Sequence, residues 1–140
     1  MKSDIAADTR RIQAVCFDWG GTLMSEVGPQ DQPMALWPHV TAMPGAQQCL
    51  EALHSRFPLA IATNATVSRR PMIELALDRV GFRSYFRDIF CFTELGFRKD
   101  QAEFWRAVQA ALNVPLKSIA MSELCCQSPS PRFGPSDVFA

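Results

Sequence analysis

Asp18 directly follows a short, mostly apolar run, Ile12-Gln13-Ala14-Val15-Cys16-Phe17, and precedes Trp19-Gly20-Gly21-Thr22-Leu23. A carboxylate at a strand end, followed by glycines and a hydroxyl, suits covalent catalysis on a phosphoryl group. The carboxylate attacks, while loop N–H groups and a cation hold the oxygens. The plainer alternative is that Asp18 caps a turn and the glycines supply positive φ. A second polar residue ends a comparable pattern. Thr63 closes the apolar run Leu59-Ala60-Ile61-Ala62, and Lys99 stands just ahead of a helical pattern. Their plainer roles are a helix N-cap for Thr63 and a solvated surface lysine for Lys99.

The elements that must position these groups follow from periodicity. Residues 12–17 read as a strand buried on both faces. Residues 24–43 are irregular, with Pro29, Pro33 and Pro38, and read as a long loop or small flap. Pro44-Gly45 opens a helix with Ala46, Cys49, Leu50 and Leu53 on one face, closed by Pro58. Leu59 to Ala62 is a second strand. Thr66 to Val80 reads as a helix with Pro71 in its first turn and Gly81 as its C-terminal cap. Ile89 to Phe92 is a third strand. Asp100 and Glu103 form a capping-box-like start to a helix that buries Phe104, Val108, Ala111 and Leu112 and ends before Pro115. Ser118 to Met121 begins a fourth strand. Alternating strands and helices imply right-handed crossovers and an open, doubly wound parallel α/β sheet. Such sheets bind ligands beyond the carboxyl ends of their strands, where Asp18 and Thr63 both fall.

The bulk properties narrow the setting. The 140 residues suffice for one domain with a real core. Fourteen acidic and fourteen basic residues balance, so there is no electrostatic reason to expect nucleic acid or an anionic membrane as partner. Met1 to Arg11 mixes both charges and lacks a signal-peptide core, and no apolar run approaches the roughly 18 residues that span a bilayer. Five cysteines without framework spacing imply reduced thiols and a cytoplasmic location. Cys16, Cys49 and Cys91 read as small buried hydrophobes. Cys125 and Cys126 lack the Cys/His partners a zinc site needs. His39 and His54 match no motif, and His54 sits where it can interact with a helix dipole. Trp19 and Trp37 read either as packing or as walls of a pocket mouth.

Asp18-x-Gly20-Gly21-Thr22-Leu23 resembles the first motif of the haloacid dehalogenase-like (HAD) hydrolase superfamily, Asp-x-Asp-Gly-Thr-Leu/Val. Thr63 resembles its second motif, a Ser or Thr that binds the transferring phosphoryl group. Lys99, in Glu94-Leu95-Gly96-Phe97-Arg98-Lys99-Asp100, resembles its third. The three stand in the family's order and cover roughly residues 12–121. The resemblance implies a Rossmann-like HAD core with a minimal cap over residues 1–121 and an irregular tail over 122–140. It implies that Asp18 forms an aspartyl-phosphate and binds Mg²⁺ together with the backbone carbonyl of Gly20. The Gly20-Gly21-Thr22 loop, the Thr63 hydroxyl, the Asn64 N–H and the Lys99 ammonium would hold phosphate oxygens. The implied partner is a phosphorylated small molecule or protein.

Two departures from the pattern matter. Gly20 stands where family phosphatases carry a second Asp that protonates the leaving group, a role typically worth about 10²–10⁴ in rate. Glu26 is a candidate for that role on closeness in sequence alone. After the fourth strand the family's Gly-Asp is replaced by Ser122-Glu123-Leu124-Cys125-Cys126, so Glu123 is the nearby carboxylate and Asp137 lies far along. The family's final strand and helix have no counterpart, which raises a frameshift or truncation as an explanation for residues 122–140. The leading expectation is a phosphatase-type hydrolase, impaired by these departures. The alternatives are an inactive phosphate-binding or interaction domain and, last, a dehalogenase or phosphonatase.

Overall fold

The computed structural model describes residues 11–122. Four short apolar runs become the strands β1 (Ala14–Phe17), β2 (Leu59–Thr63), β3 (Asp88–Cys91) and β4 (Ile119–Ser122). All pair in parallel, in the order β3-β2-β1-β4. Every residue of β1, β2 and β4 is buried, which explains why these strands read as unbroken apolar runs. Alternate side chains leave opposite faces of the sheet. Val15, Phe17, Leu59, Ile61 and Ile89 join the core beneath helices α1 (Ala46–Leu53) and α2 (Arg70–Arg79). Ala14, Cys16, Ala60, Ala62 and Phe90 pack against Phe104, Trp105, Val108 and Leu112 of the helix Ala102–Leu112 on the other face. The doubly wound parallel sheet expected from the alternation of elements is the architecture found.

Element ends differ from expectation where local signals were weak. Helix α2 starts at Arg70, not Thr66, and so places Pro71 in its first turn, where a missing N–H breaks no helical bond. A start at Thr66 would have put the proline in the second turn. The strand β3 begins one residue early, at Asp88, and Phe92 instead opens a one-turn helix α3 (Phe92–Leu95) closed by Gly96 at φ 82°. The Asp100–Glu103 capping box does not form. Gln101 is the N-cap of the helix Ala102–Leu112, hereafter α4, and makes no side-chain cap bond. Its Oε1 instead accepts the Arg98 N–H at 2.8 Å. Ala111 is exposed, at the solvent edge of the stripe, and the larger Trp105 fills the core in its place. Ser118 belongs to a 3₁₀ turn (Leu116–Ser118), and β4 runs on through Ser122. Glu123, Cys125, Cys126 and Asp137 lie outside the described residues.

Arg70 fastens α2 to β3 and α3. Its guanidinium reaches Asp88 at 2.7 Å and Glu94 at 3.2 Å, and donates to the Ile89 carbonyl. Burial alone would lower its pKa, but the Asp88 and Glu94 carboxylates more than offset this and raise it.

Cys16 lies wholly in the sheet, and burial pushes its thiol from 9.0 up to about 12, against a smaller opposing pull from the Lys99 charge. The folded protein thus keeps a proton that the unfolded chain releases near 9.0. The associated stability is complete below that pH and is lost as pH rises towards 12. We expect the urea midpoint to fall between pH 9 and pH 11, and to fall less in Cys16→Ala. Parallel pH dependences in the two proteins would contradict this.

Candidate active site

Parallel pairing brings the carboxyl ends of the strands to one rim. Phe17 lies opposite Ile61 on β2 and Ser122 on β4, so Asp18 and Thr63 leave the same edge on neighbouring strands. The Asp18 N–H donates to the Ser122 carbonyl at 3.2 Å, which fixes its backbone to the sheet. Its Oδ1 accepts the Trp19 N–H at 3.0 Å and lies 3.2 Å from the Lys99 ammonium.

The loop after Asp18 is a tight coil. The Trp19 carbonyl accepts the N–H groups of Leu23 and Met24 at 3.0 and 2.9 Å. Gly21, at φ 80°, needs glycine for its left-handed backbone. Gly20 has a different reason. A Cβ there would stand 2.6 Å from Glu26 Oε2, so the space is taken by another side chain. Thr22 is buried within the same coil.

Lys99 is buried, with its side chain only 11% exposed, rather than the solvated surface lysine that was the alternative. Its backbone is clamped from two sides. The Asn64 Oδ1 accepts the Lys99 N–H at 2.7 Å, and the Trp105 indole N–H donates to the Lys99 carbonyl at 2.7 Å. Thr63 is buried and caps no helix, because α2 begins beyond Arg69. Its Oγ1 accepts the Ala65 N–H at 3.0 Å and shapes the turn leaving β2. Asp18, Thr63, Asn64 and Lys99 therefore share one rim, flanked by the Gly20-Gly21-Thr22 coil.

Residues 24–43 form a flap with a single 3₁₀ turn (Met34–Leu36). Its base closes through an antiparallel bridge between Met24 and Ala42 and a bond from the Ser25 N–H to the Thr41 carbonyl. Arg79 of α2 pins its far side, donating to the carbonyls of Ala35 at 3.0 Å and Trp37 at 2.6 Å. The Trp37 ring packs on the Gly28 backbone so closely that a Cβ there would meet it at 2.3 Å. Between this flap and the segment after β2 lies a cavity of about 320 Å³, lined by Trp19, Gly20, Glu26, Trp37, Asn64 and Arg98. Trp19 and Trp37 are thus both packed and pocket-forming. His54 is the exposed C-cap of α1, edge-on to Tyr85. Sequence reading missed Trp105, Arg79 and the cavity role of Arg98. The signal for Trp105 was an indole N–H on a buried helix face, which must find an acceptor.

The Asp18 carboxylate at this rim is a hard oxygen donor of the kind Mg²⁺ prefers. Ser122 Oγ is buried at the end of β4 without a hydrogen-bond partner, but Ser122 is in register with Phe17, so its side chain leaves the sheet on the α1/α2 face. Among the described residues no group of three or more His, Cys, Asp or Glu is placed to hold a metal.

Residues 27–122 match the haloacid dehalogenase-like hydrolase family. The chain belongs to that family. The matched stretch begins beyond the Asp18–Met24 coil, so Asp18 is tied to the HAD-like fold by its position at the end of β1. Solved structures share the fold. A protein of Listeria monocytogenes serotype 4b superposes with a TM-score of 0.70 at 24% identity, over 79% of this chain and 66% of its own length. A predicted phosphoglycolate phosphatase of Haemophilus somnus 129pt gives 0.66 at 13% identity, over 79% and 76%. The L-2-haloacid dehalogenase of Xanthobacter autotrophicus gives 0.62 at 17% identity, over 79% and 69%. The chain thus spans just under two thirds of the Listeria protein. A search of curated proteins finds no match. Among the described residues no helix of this HAD-like hydrolase is long and apolar enough to cross a membrane.

Proposed function

We propose that this HAD-like hydrolase cleaves a phosphomonoester through an aspartyl-phosphate on Asp18. The observation that carries the reading is the contact of 3.2 Å between the Asp18 carboxylate and the buried Lys99 ammonium at the carboxyl rim of the sheet. A carboxylate facing a dianionic ester needs a fixed cation to offset the repulsion. Lys99 supplies it, and its doubly clamped backbone holds it in place. Asp18 attacks phosphorus, the bond to the leaving oxygen breaks, and that oxygen takes up a proton. Water then attacks the acyl phosphate, releasing inorganic phosphate and regenerating the carboxylate. The Thr63 hydroxyl, the Asn64 N–H and the N–H groups of the Gly20-Gly21-Thr22 coil orient the phosphoryl oxygens. Asp18 and the Gly20 carbonyl would hold Mg²⁺, which when bound adds positive charge beside the transferring group.

The cavity of about 320 Å³ beside Gly20 favours a small phosphorylated molecule over a phosphoprotein as substrate. The buried thiols of Cys16 and Cys91, which form no disulfide, favour a cytoplasmic setting. A second reading, phosphate binding without turnover, draws on the lack of a metal-sized acidic cluster among the described residues.

The test is turnover of p-nitrophenyl phosphate with Mg²⁺ and with EDTA, together with acid quenching to trap phosphoprotein. Metal-stimulated turnover and a hydroxylamine-sensitive phosphoprotein are expected. Binding of BeF₃⁻ without turnover would establish the second reading instead. Halide release from a 2-haloacid, with no phosphate release, would assign dehalogenase chemistry to Asp18.

A further inference from the structure

We propose that Glu26 is the proton-transfer residue of the site, delivered by the flap into the space that Gly20 leaves open. The proposal rests on the hydrolase reading above and names the group that its two proton transfers require. Departure of an alkoxide needs an acid at the leaving oxygen, and hydrolysis of the acyl phosphate needs a base beside the attacking water.

The exposed Glu26 carboxylate lies over the Gly20-Gly21 backbone. A Cβ built on Gly20 would lie 2.6 Å from Glu26 Oε2 and 3.1 Å from its Cγ and Cδ. One built on Gly21 would lie 3.2 Å from Glu26 Oε1. Both carboxylate oxygens therefore sit over the backbone that begins two residues beyond Asp18. The Glu26 main chain is held there from both sides. Ser25 bonds across the flap to Thr41, and the Gln30 side-chain amide donates to the Glu26 carbonyl at 2.8 Å. Glu26 also lines the cavity that Gly20, Asn64 and Arg98 share.

Two other carboxylates near the sheet are committed elsewhere. Asp88 and Glu94 are held by Arg70, with Asp88 at the opposite, amino end of its strand. In the first step the Glu26 carboxyl gives its proton to the leaving oxygen as the P–O bond breaks. In the second, its carboxylate takes a proton from water as the water oxygen bonds to phosphorus and the Asp18–phosphate bond opens.

Glu26→Gln separates these steps. With an alkyl phosphate, kcat is expected to fall by about 10²–10⁴-fold. With p-nitrophenyl phosphate, whose nitrophenolate departs without help, the first step survives and the second stalls. The expected signature is a burst of about one nitrophenolate per chain and accumulated hydroxylamine-sensitive phosphoprotein. Moving the acid back with Gly20→Asp in a Glu26→Ala background is expected to restore at least about tenfold over Glu26→Ala alone. Unchanged kcat in Glu26→Gln, or equal losses on both substrates with no burst, overturns the role of Glu26 alone. A wild-type protein that neither turns over nor forms phosphoprotein overturns the hydrolase reading, and this role with it.

Discussion

Asp18→Asn is expected to reduce phosphomonoester turnover on the order of 10⁴-fold or more, with the fold retained. Asparagine has nearly the same shape and keeps an oxygen able to accept the Trp19 N–H that Asp18 now accepts at 3.0 Å. The coil of residues 19–24 is held by its own backbone bonds to the Trp19 carbonyl, so its geometry does not depend on charge at position 18. What disappears is the nucleophile, since a neutral amide oxygen does not form the acyl phosphate. The substitution also strips Lys99 of its counter-charge. The two side chains are 11% and 30% exposed, an intermediate case. The stability loss should therefore fall between the roughly 1 kcal/mol of an exposed pair and the 3–5 kcal/mol of a fully buried one. Initial rates, phosphoprotein trapping and a urea titration on the same preparation check both halves. Activity within tenfold of wild type would remove Asp18 from the chemistry.

Lys99→Met is expected to lower kcat by about 10²–10³-fold while the backbone around it stays put. Both clamps grip the main chain of Lys99 and not its ammonium: Asn64 holds its N–H and Trp105 its carbonyl. Methionine can follow the path of the lysine stem without the charge. The Asp18 carboxylate then faces an incoming phosphate with no fixed cation, and both binding and attack suffer. Because the two residues act on the same atoms, the double variant Asp18→Asn/Lys99→Met should be scarcely slower than Asp18→Asn alone. Fully multiplied losses in that double variant would show that Lys99 works away from Asp18.

The rim was legible from the sequence because each of its members ends an apolar run or precedes a helical one. Asp18 and Thr63 could be named from strand ends and Lys99 from its resemblance to the family's third motif, and parallel pairing put Asp18 and Thr63 side by side. Composition could not separate their plainer roles, since burial is a tertiary property. The depth of Lys99 and the late start of α2 at Arg70 dispose of the surface lysine and of the N-cap for Thr63. Helix starts were the poorest guide, because Arg69 and Gln101 are N-caps without side-chain cap bonds and leave no mark on the pattern. The flap was legible only as proline-rich irregularity. Its conformation depends on Arg79, whose bond to the Ala35 carbonyl spans 44 positions that no local rule connects. Glu26 was a neighbour in sequence alone until its carboxylate proved to lie over Gly20.

The Arg79 anchor also divides the flap into tissue that can grow and tissue that cannot. Residues 29–32 lie exposed between the Gly28–Trp37 contact and the anchored carbonyls, and their side chains carry no part of the core. Extra length grafted there would enlarge the roof over the cavity without touching the core, provided it spares Gln30, whose amide holds the Glu26 and Gly28 carbonyls, and the Gln32 carbonyl that accepts the Trp37 indole N–H. The same insertion at 35–38 would tear the carbonyls away from the guanidinium that collects them. A lineage elaborating this minimal lid thus has one doorway for new sequence, and it opens directly above the pocket.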